Sequence, residues 1–259
     1  MKSSTFTPLR LALPLAVLLL AGCKKSTPDP EPTATGSFAF EMENVAGTTP
    51  LVLGSQTVTK ADGQTYKVTK FKYLLSNVKL TRANGSTYDV PNSYYLIDAE
   101  KPASLHFIID DVPVGTYTGL SFVVGVDAAH NNPTFESGDL NHNNDLFWDM
   151  PPVAGYVFLK MAGTSSQSRT GGLTFDIGGN NCARVVAPTF GTSTLPVAAG
   201  HVPEIHMTAN VNALFDNANP ARMVKFDQTH SVASGDAWAP TIADNYAAGM
   251  FTIEHIHAN

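Results

Sequence analysis

Near the C-terminus stands His255-Ile256-His257, and there the residue types and their spacing carry the most chemistry. In extended backbone, residues i and i+2 project from one face, so both imidazoles can address one ion. Neutral imidazole suits copper and zinc, and two together make half of a site for either. A polar, frayed tail is the plain alternative. His206, two places beyond Glu204 in a strand-like run, is a candidate third donor. His230, in the polar stretch Gln228-Thr229-His230-Ser231, is another. His130 and His142 flank a loop rich in Asn and Asp and read as solvated.

That loop poses a second metal chemistry. Asp139, Asn141, Asn143 and Asp145 place oxygens at alternate positions, as the first half of a calcium loop does. The sixth position, where such a loop turns on glycine, is Asn144, and the twelfth, where it closes on an acid, is Met150. An ordinary polar loop is the alternative. Catalytic signatures are missing: there is no GxSxG elbow, P-loop or HExxH, and no GxGxxG after a strand. The chain therefore reads as a binding protein and not an enzyme.

The elements that must position these groups are mainly strands. Phe38, Phe40 and Met42 alternate with Ala39, Glu41 and Glu43, the period of a half-buried strand. Asp62-Gly63 separates runs at 56–60 and 64–70. Asn84-Gly85 separates 72–81 from 86–90, and Asn-Gly favours the tight turn whose twist matches its flanking strands. Further strand-like runs fall at 94–97, 106–109, 116–124, 155–161, 173–175, 184–186 and 204–211. Helical signals are confined to a turn at 212–215 and a short helix at 242–250. The pattern predicts an all-β, antiparallel β-sandwich, Greek-key-like, with one or two short helices near the C-terminus.

The N-terminus predicts export. Lys2 and Arg10 precede the apolar run 11–20, and Ala21-Gly22 leads to Cys23, the form of a lipoprotein cleavage site. Residues 1–22 read as a signal peptide. Residues 23–36, a lipidated Cys23 followed by KKSTPDPEPTATG, read as a tether too rich in proline and polar residues to build a core. Residues 37–259 read as one β-sandwich domain. The expected location is the cell envelope, with the protein lipid-anchored at the outer membrane on its periplasmic or surface face. The formal charge of −6 contains the two signal cations, so the mature chain is more acidic still. That balance argues against nucleic acid, which needs a basic patch. Cys182 is then the lone thiol, expected to be buried and inert.

Several blocks together resemble the MbnP-like copper-binding protein family. Residues 68–80, VTKFKYLLSNVKL, are similar to that family's kFkYYlSNikL block. The stretches 94–98 (YYLID), 113–126 (PVGTYTGLSFVVGV), 146–163 (LFWDMPPVAGYVFLKMAG) and the ending from Ala243 to His257 fit it too. The resemblance implies a β-rich, non-catalytic envelope protein that binds copper. It also implies a partner, a di-haem cytochrome c peroxidase-like enzyme that oxidises a tryptophan. Carried over by position, Trp148 matches the first tryptophan of the family's MfWtW segment, with Met150 replacing the second. Asp176 stands where the family's fHlGg block has histidine, and is an oxygen donor in its place if that position is a ligand. The competing reading is a metal-independent adhesion or glycan-binding module using Tyr94, Tyr95 and Trp238.

Overall fold

Burial follows the alternation that the first strand announces. Phe38, Phe40 and Met42 are buried, and Glu41 and Glu43 are exposed on the opposite face. Ala39, read as an outward position, is buried as well, because Ile108 and Glu204 flank it on the adjoining strands. The computed structural model describes residues 34–132, 134, 136, 138–149 and 154–258. The predicted signal peptide and Cys23 lie outside them.

The strands are β1 (Thr35–Ala46), β2 (Thr49–Pro50), β3 (Val58–Thr59), β4 (Thr65–Arg82), β5 (Thr87–Asp89), β6 (Tyr94–Asp98), β7 (His106–Pro113) and β8 (Gly115–Val124). There follow β9 (Phe147–Trp148), β10 (Gly155–Thr164), β11 (Gly172–Gly178), β12 (Arg184–Val186), β13 (Leu195–Val197), β14 (Glu204–Asn210), β15 (Ser231–Val232), helix α1 (Ala239–Gly249) and β16 (Phe251–His257). β1 begins two residues before Ser37, where the domain was expected to start, because Thr35 and Gly36 pair with Pro113 and Val112.

The strands form two sheets. The smaller runs β16-β14-β1, with β7 and β2 pairing the start and end of the other edge of β1. The larger runs β12-β8-β4-β10-β11-β15, with short strands added beside β4, β8 and β10. The β-rich, sandwich-like class matches the sequence reading, but the sheets are mixed and not purely antiparallel. β1 runs parallel to β14, and β11 parallel to β15. Parallel neighbours need a long crossover, and here most of the larger sheet lies in sequence between β1 and β14. The two expected hairpins share one 18-residue strand, β4. It changes partners where Asn77 takes a left-handed φ of 52° and the register with β8 shifts.

The inner faces meet through aromatic rings. Phe251 of the smaller sheet sits edge-on to Tyr73 of β4 (5.6 Å) and Phe122 of β8 (5.2 Å). Offset and edge-to-face pairs add to the burial of such large side chains. Helix α1 starts with Pro240 in its first turn, where the missing N–H costs nothing. It buries Ala239, Ile242, Ala243 and Tyr246, and the Tyr246 hydroxyl donates to the carbonyl of Cys182. The helix thus anchors the chain immediately before β16, and Phe251–His257 form a strand and not a loose end.

Candidate metal centre

Register brings the histidines together. On the smaller sheet His106 of β7 pairs with Glu41 of β1, Glu41 with His206 of β14, and His206 with His255 of β16. One step along, Glu204 pairs with His257. Paired positions on neighbouring strands hold their Cβ atoms about 5 Å apart, so side chains on one face touch. β16 contains a bulge: Ile253 pairs with Met207 and His255 with His206, leaving Glu254 as the extra residue. The bulge lets Ile253 and Ile256 turn inward while His255 and His257 stay outside.

His206, His255 and His257 each offer a ligand atom within 4.8 Å of the others. The Nε2 atoms of His255 and His257 are 3.0 Å apart. Two nitrogens at about 2.05 Å from a tetrahedral ion would stand about 3.3 Å apart, so the pair is close to the bite of such an ion. The His206 ring lies nearly parallel to His255 at 4.2 Å and edge-on to His257 at 4.7 Å.

Carboxylates close the other side. Glu41 Oε2 is 3.0 Å and Glu204 Oε2 3.5 Å from His206 Nε2, and Glu204 Oε1 is 2.8 Å from His106 Nε2. Glu41, Glu204 and His206 form a second group of potential ligands sharing that histidine. His206 Nε2 is buried and, despite the short approach of Glu41, has no partner aligned for a hydrogen bond. The five strands of this sheet carry Glu41, Glu43, Asp110, Asp111, Glu204 and Glu254, and neither lysine nor arginine. Nothing built into the sheet itself neutralises these acids except imidazole.

The other expected site residues go elsewhere. Asp176 lies on β11 in the larger sheet, 3.9 Å from the Lys160 ammonium, and burial raises its carboxyl above the usual range. His230 precedes β15 in that same sheet, where its carbonyl accepts from Thr174 N–H. Neither joins the three histidines.

Nor do the oxygens of the expected calcium loop converge. Asp139 Oδ2 accepts from the Leu96 N–H, and Asn141 Oδ1 from the Asn143 N–H as a cap on a short 3₁₀ turn. Asn143 belongs to that turn, and Asp145 is held by Lys70 (2.8 Å) and Lys160 (3.1 Å). Those two ammonium groups take the place a cation would occupy. The Lys70 hydrogen bond and its Lys160 counterpart keep the Asp145 carboxyl below its usual range, against the opposing effect of burial.

Trp148 is half-buried on β9, opposite Gly155 of β10. Cys182 is buried, and burial pushes its thiol up to about 11. His142, read as solvated, instead stacks on Phe147 at 3.7 Å, and His130 contacts Asp127 at 2.8 Å. Tyr94 is buried, and Tyr95 stacks on Phe107 at 4.4 Å, so neither is an open platform for a sugar. The sequence reading gave neither Glu41 nor His106 a part in this site. Their alternating strands were legible, but the pairings that place them beside His206 and Glu204 were not.

The family model MbnP matches residues 35–233. The chain belongs to the MbnP family. The matched span contains β1, β7 and β14, hence Glu41, His106, Glu204 and His206, and ends before α1 and β16. Among solved structures the chain is similar to MbnP from Methylosinus trichosporium, at 13% identity over 80% of this chain and 83% of that one, with a TM-score of 0.49. No curated protein matches.

Proposed function

We propose that this MbnP-family protein is a non-catalytic copper-binding protein, holding the ion on the outer face of its smaller sheet with His206, His255 and His257. The observation that carries the reading is the convergence of three imidazoles from two neighbouring strands onto one point of an acidic face. The donor set fits copper, since imidazole is a favoured ligand for it and His206 Nε2 is buried without an aligned partner. Titration of the purified protein with copper against a chromophoric chelator tests this, with the double variant His255→Ala/His257→Ala as control. Loss of affinity by about 100-fold or more is expected from removing two of three nitrogens, and equal affinity in both proteins would overturn the assignment.

The protein we propose is an envelope lipoprotein anchored through Cys23, and it would meet its ion outside the cytoplasm. Support comes from the charged start, apolar run and small residues before that cysteine. Its proposed partner is a di-haem cytochrome c peroxidase-like enzyme, with Trp148 as the residue it oxidises. An indole packed on the core at one side and open at the other is suited to losing electrons to a docked haem protein. Intact and peptide mass spectra after co-expression with such an enzyme check this. A mass change confined to the Trp148 peptide supports it, and an unmodified indole counts against it.

A further inference from the structure

We infer that the recess bounded by β6, the turn that follows it and the loop 138–144 is a binding site for a neutral, hydroxyl-rich ligand, a pyranose unit of a saccharide. The site uses none of the histidines of the copper reading and does not depend on it.

The recess encloses about 640 Å³, within the roughly 300–1,000 Å³ of small-molecule sites. Its loop is laid along β6. The Asp139 N–H donates to the Tyr94 carbonyl at 3.3 Å, and Asp139 Oδ2 accepts from the Leu96 N–H at 3.0 Å. Asn144 Nδ2 ties the loop to itself by donating to the Asp139 carbonyl at 2.8 Å. Leu96, Ala103 and Phe107 line the recess with apolar surface. The Phe107 ring is fixed by stacking on Tyr95 (4.4 Å) and Phe40 (5.1 Å). Apolar lining with a few placed polar groups is the general build of a small-ligand site, and it suits the C–H faces of a sugar ring.

Asp98 is the decisive polar group. It lines the recess and is fully buried. Its Oδ1 accepts from the Glu100 N–H at 3.0 Å, and its own N–H donates to Ser104 Oγ at 2.8 Å, so the carboxylate is held in place. Its Oδ2 has no aligned hydrogen-bond donor, although Lys72 Nζ and Lys101 Nζ stand 3.1 and 3.7 Å away. A buried acceptor left in that state is costly, and a ligand hydroxyl entering the recess would satisfy it. Asp139, Asn141 and Asn143, three positions of the failed calcium spacing, are lining residues too. Among the described residues, Asp139 Oδ1, Asn141 Nδ2 and the Asn143 side chain make no hydrogen bond. Acceptors and donors thus stand side by side, and a hydroxyl answers both, since it donates and accepts. The carboxylates of Asp98 and Asp139 are matched by Lys101, which lines the recess, and by Lys72 behind Asp98. That balance selects neither an anion nor a cation.

The test titrates the purified protein with the methyl glycosides of glucose, galactose, mannose and N-acetylglucosamine, followed by calorimetry and by amide chemical shifts. At least one glycoside should bind saturably with a dissociation constant below about 1 mM, shifting amides in 96–104 and 138–144. The tetrasaccharide of the sugar that binds separates two sources: tighter binding marks a polymer chain and equal binding a free sugar, and either supports the site. Ala103→Trp, at an exposed position, fills the recess. Asp139→Asn removes a carboxylate but keeps an oxygen for the Leu96 N–H. Circular dichroism with thermal melting checks that both variants fold. Affinity should fall about tenfold or more in each, as expected when a hydrogen bond to a charged group or the space for the ring is lost. His255→Ala/His257→Ala should bind the sugar within about twofold of wild type, because distant sites act independently. The outcome at the recess is therefore read separately from the outcome at the copper site. No saturable binding of any glycoside, or binding that Ala103→Trp leaves unchanged, would overturn the inference.

Discussion

Two rows of ionisable side chains cross this molecule, and they are built to opposite ends. On the larger sheet, Lys70, Lys160, Asp145 and Asp176 stand on neighbouring strands and in the loop beside them, with ammonium against carboxylate at 2.8 to 3.9 Å. On the smaller sheet, His106, Glu41, His206, Glu204, His255 and His257 stand on four adjacent strands and have no such cation. The first row is closed: its charges are answered from within the chain. The second is open, because imidazoles leave room for an external ion where an ammonium would already fill it. A cluster of ligand-capable residues becomes a candidate metal site only when the fold withholds its own cations.

The sharpest way to break this contrast is to give the smaller sheet the cation it lacks. His255→Lys should place an ammonium among Glu41, Glu204 and the remaining histidines. Copper affinity should then fall more than 100-fold, about 2.7 kcal/mol. Folding stability should move by no more than about 0.5 kcal/mol, since the position is exposed. Chelator competition and chemical denaturation read the two quantities, and retained affinity would mean that the open row is not the site.

A smaller effect is expected from Asp176→Asn. Burial raises the Asp176 carboxyl above the unfolded value of about 3.9. The native state therefore holds its proton more tightly than the unfolded chain, and this group's contribution falls as pH rises through that window. Lys160 keeps Asp145 as a partner, so the variant should be about 1 kcal/mol more stable at pH 7. The gain should disappear as pH falls below the unfolded value. Melting curves across that range decide it, and a destabilised variant would show that the Lys160 contact outweighs burial.

Asp145→Asn should act in the other direction and more weakly. Lys70 and Lys160 hold that carboxyl below its usual range, so its contribution is present above about pH 3.9 and lost as pH falls through the lower folded value. Its side chain is 50% exposed, so the loss should stay under about 1 kcal/mol and shrink in high salt. The smallest effect is expected from calcium. A loop saturated tenfold above its dissociation constant would gain about 1.4 kcal/mol. None of that shift should be seen in the melting temperature, because the two lysines already occupy the Asp145 oxygens.

Much of the strand content was legible because alternation reports burial residue by residue, as β1 and β14 illustrate. The Asn84-Gly85 turn was legible because its chemistry is local: Gly85 has the positive φ (83°) that the turn requires. Two things resisted. Asp139, Asn141, Asn143 and Asp145 have calcium-loop spacing, but spacing does not say that Lys70 and Lys160 arrive from β4 and β10 to meet Asp145. The bulge at Glu254 interrupts alternation within β16, so its seven residues do not read as one regular strand.

The residues themselves determined the class of chemistry: a β-rich acidic body and a pair of histidines spaced to face one way. Only the tertiary structure decided which groups join that pair. A parallel pairing between β1 and β14, more than 150 residues apart in sequence, sets Glu41 beside His206, and β16 then sets His255 against the same residue. Periodicity records which face a side chain takes, because burial is felt locally. It carries no record of which distant strand will lie alongside, since that is settled by how the two sheets fill their shared core.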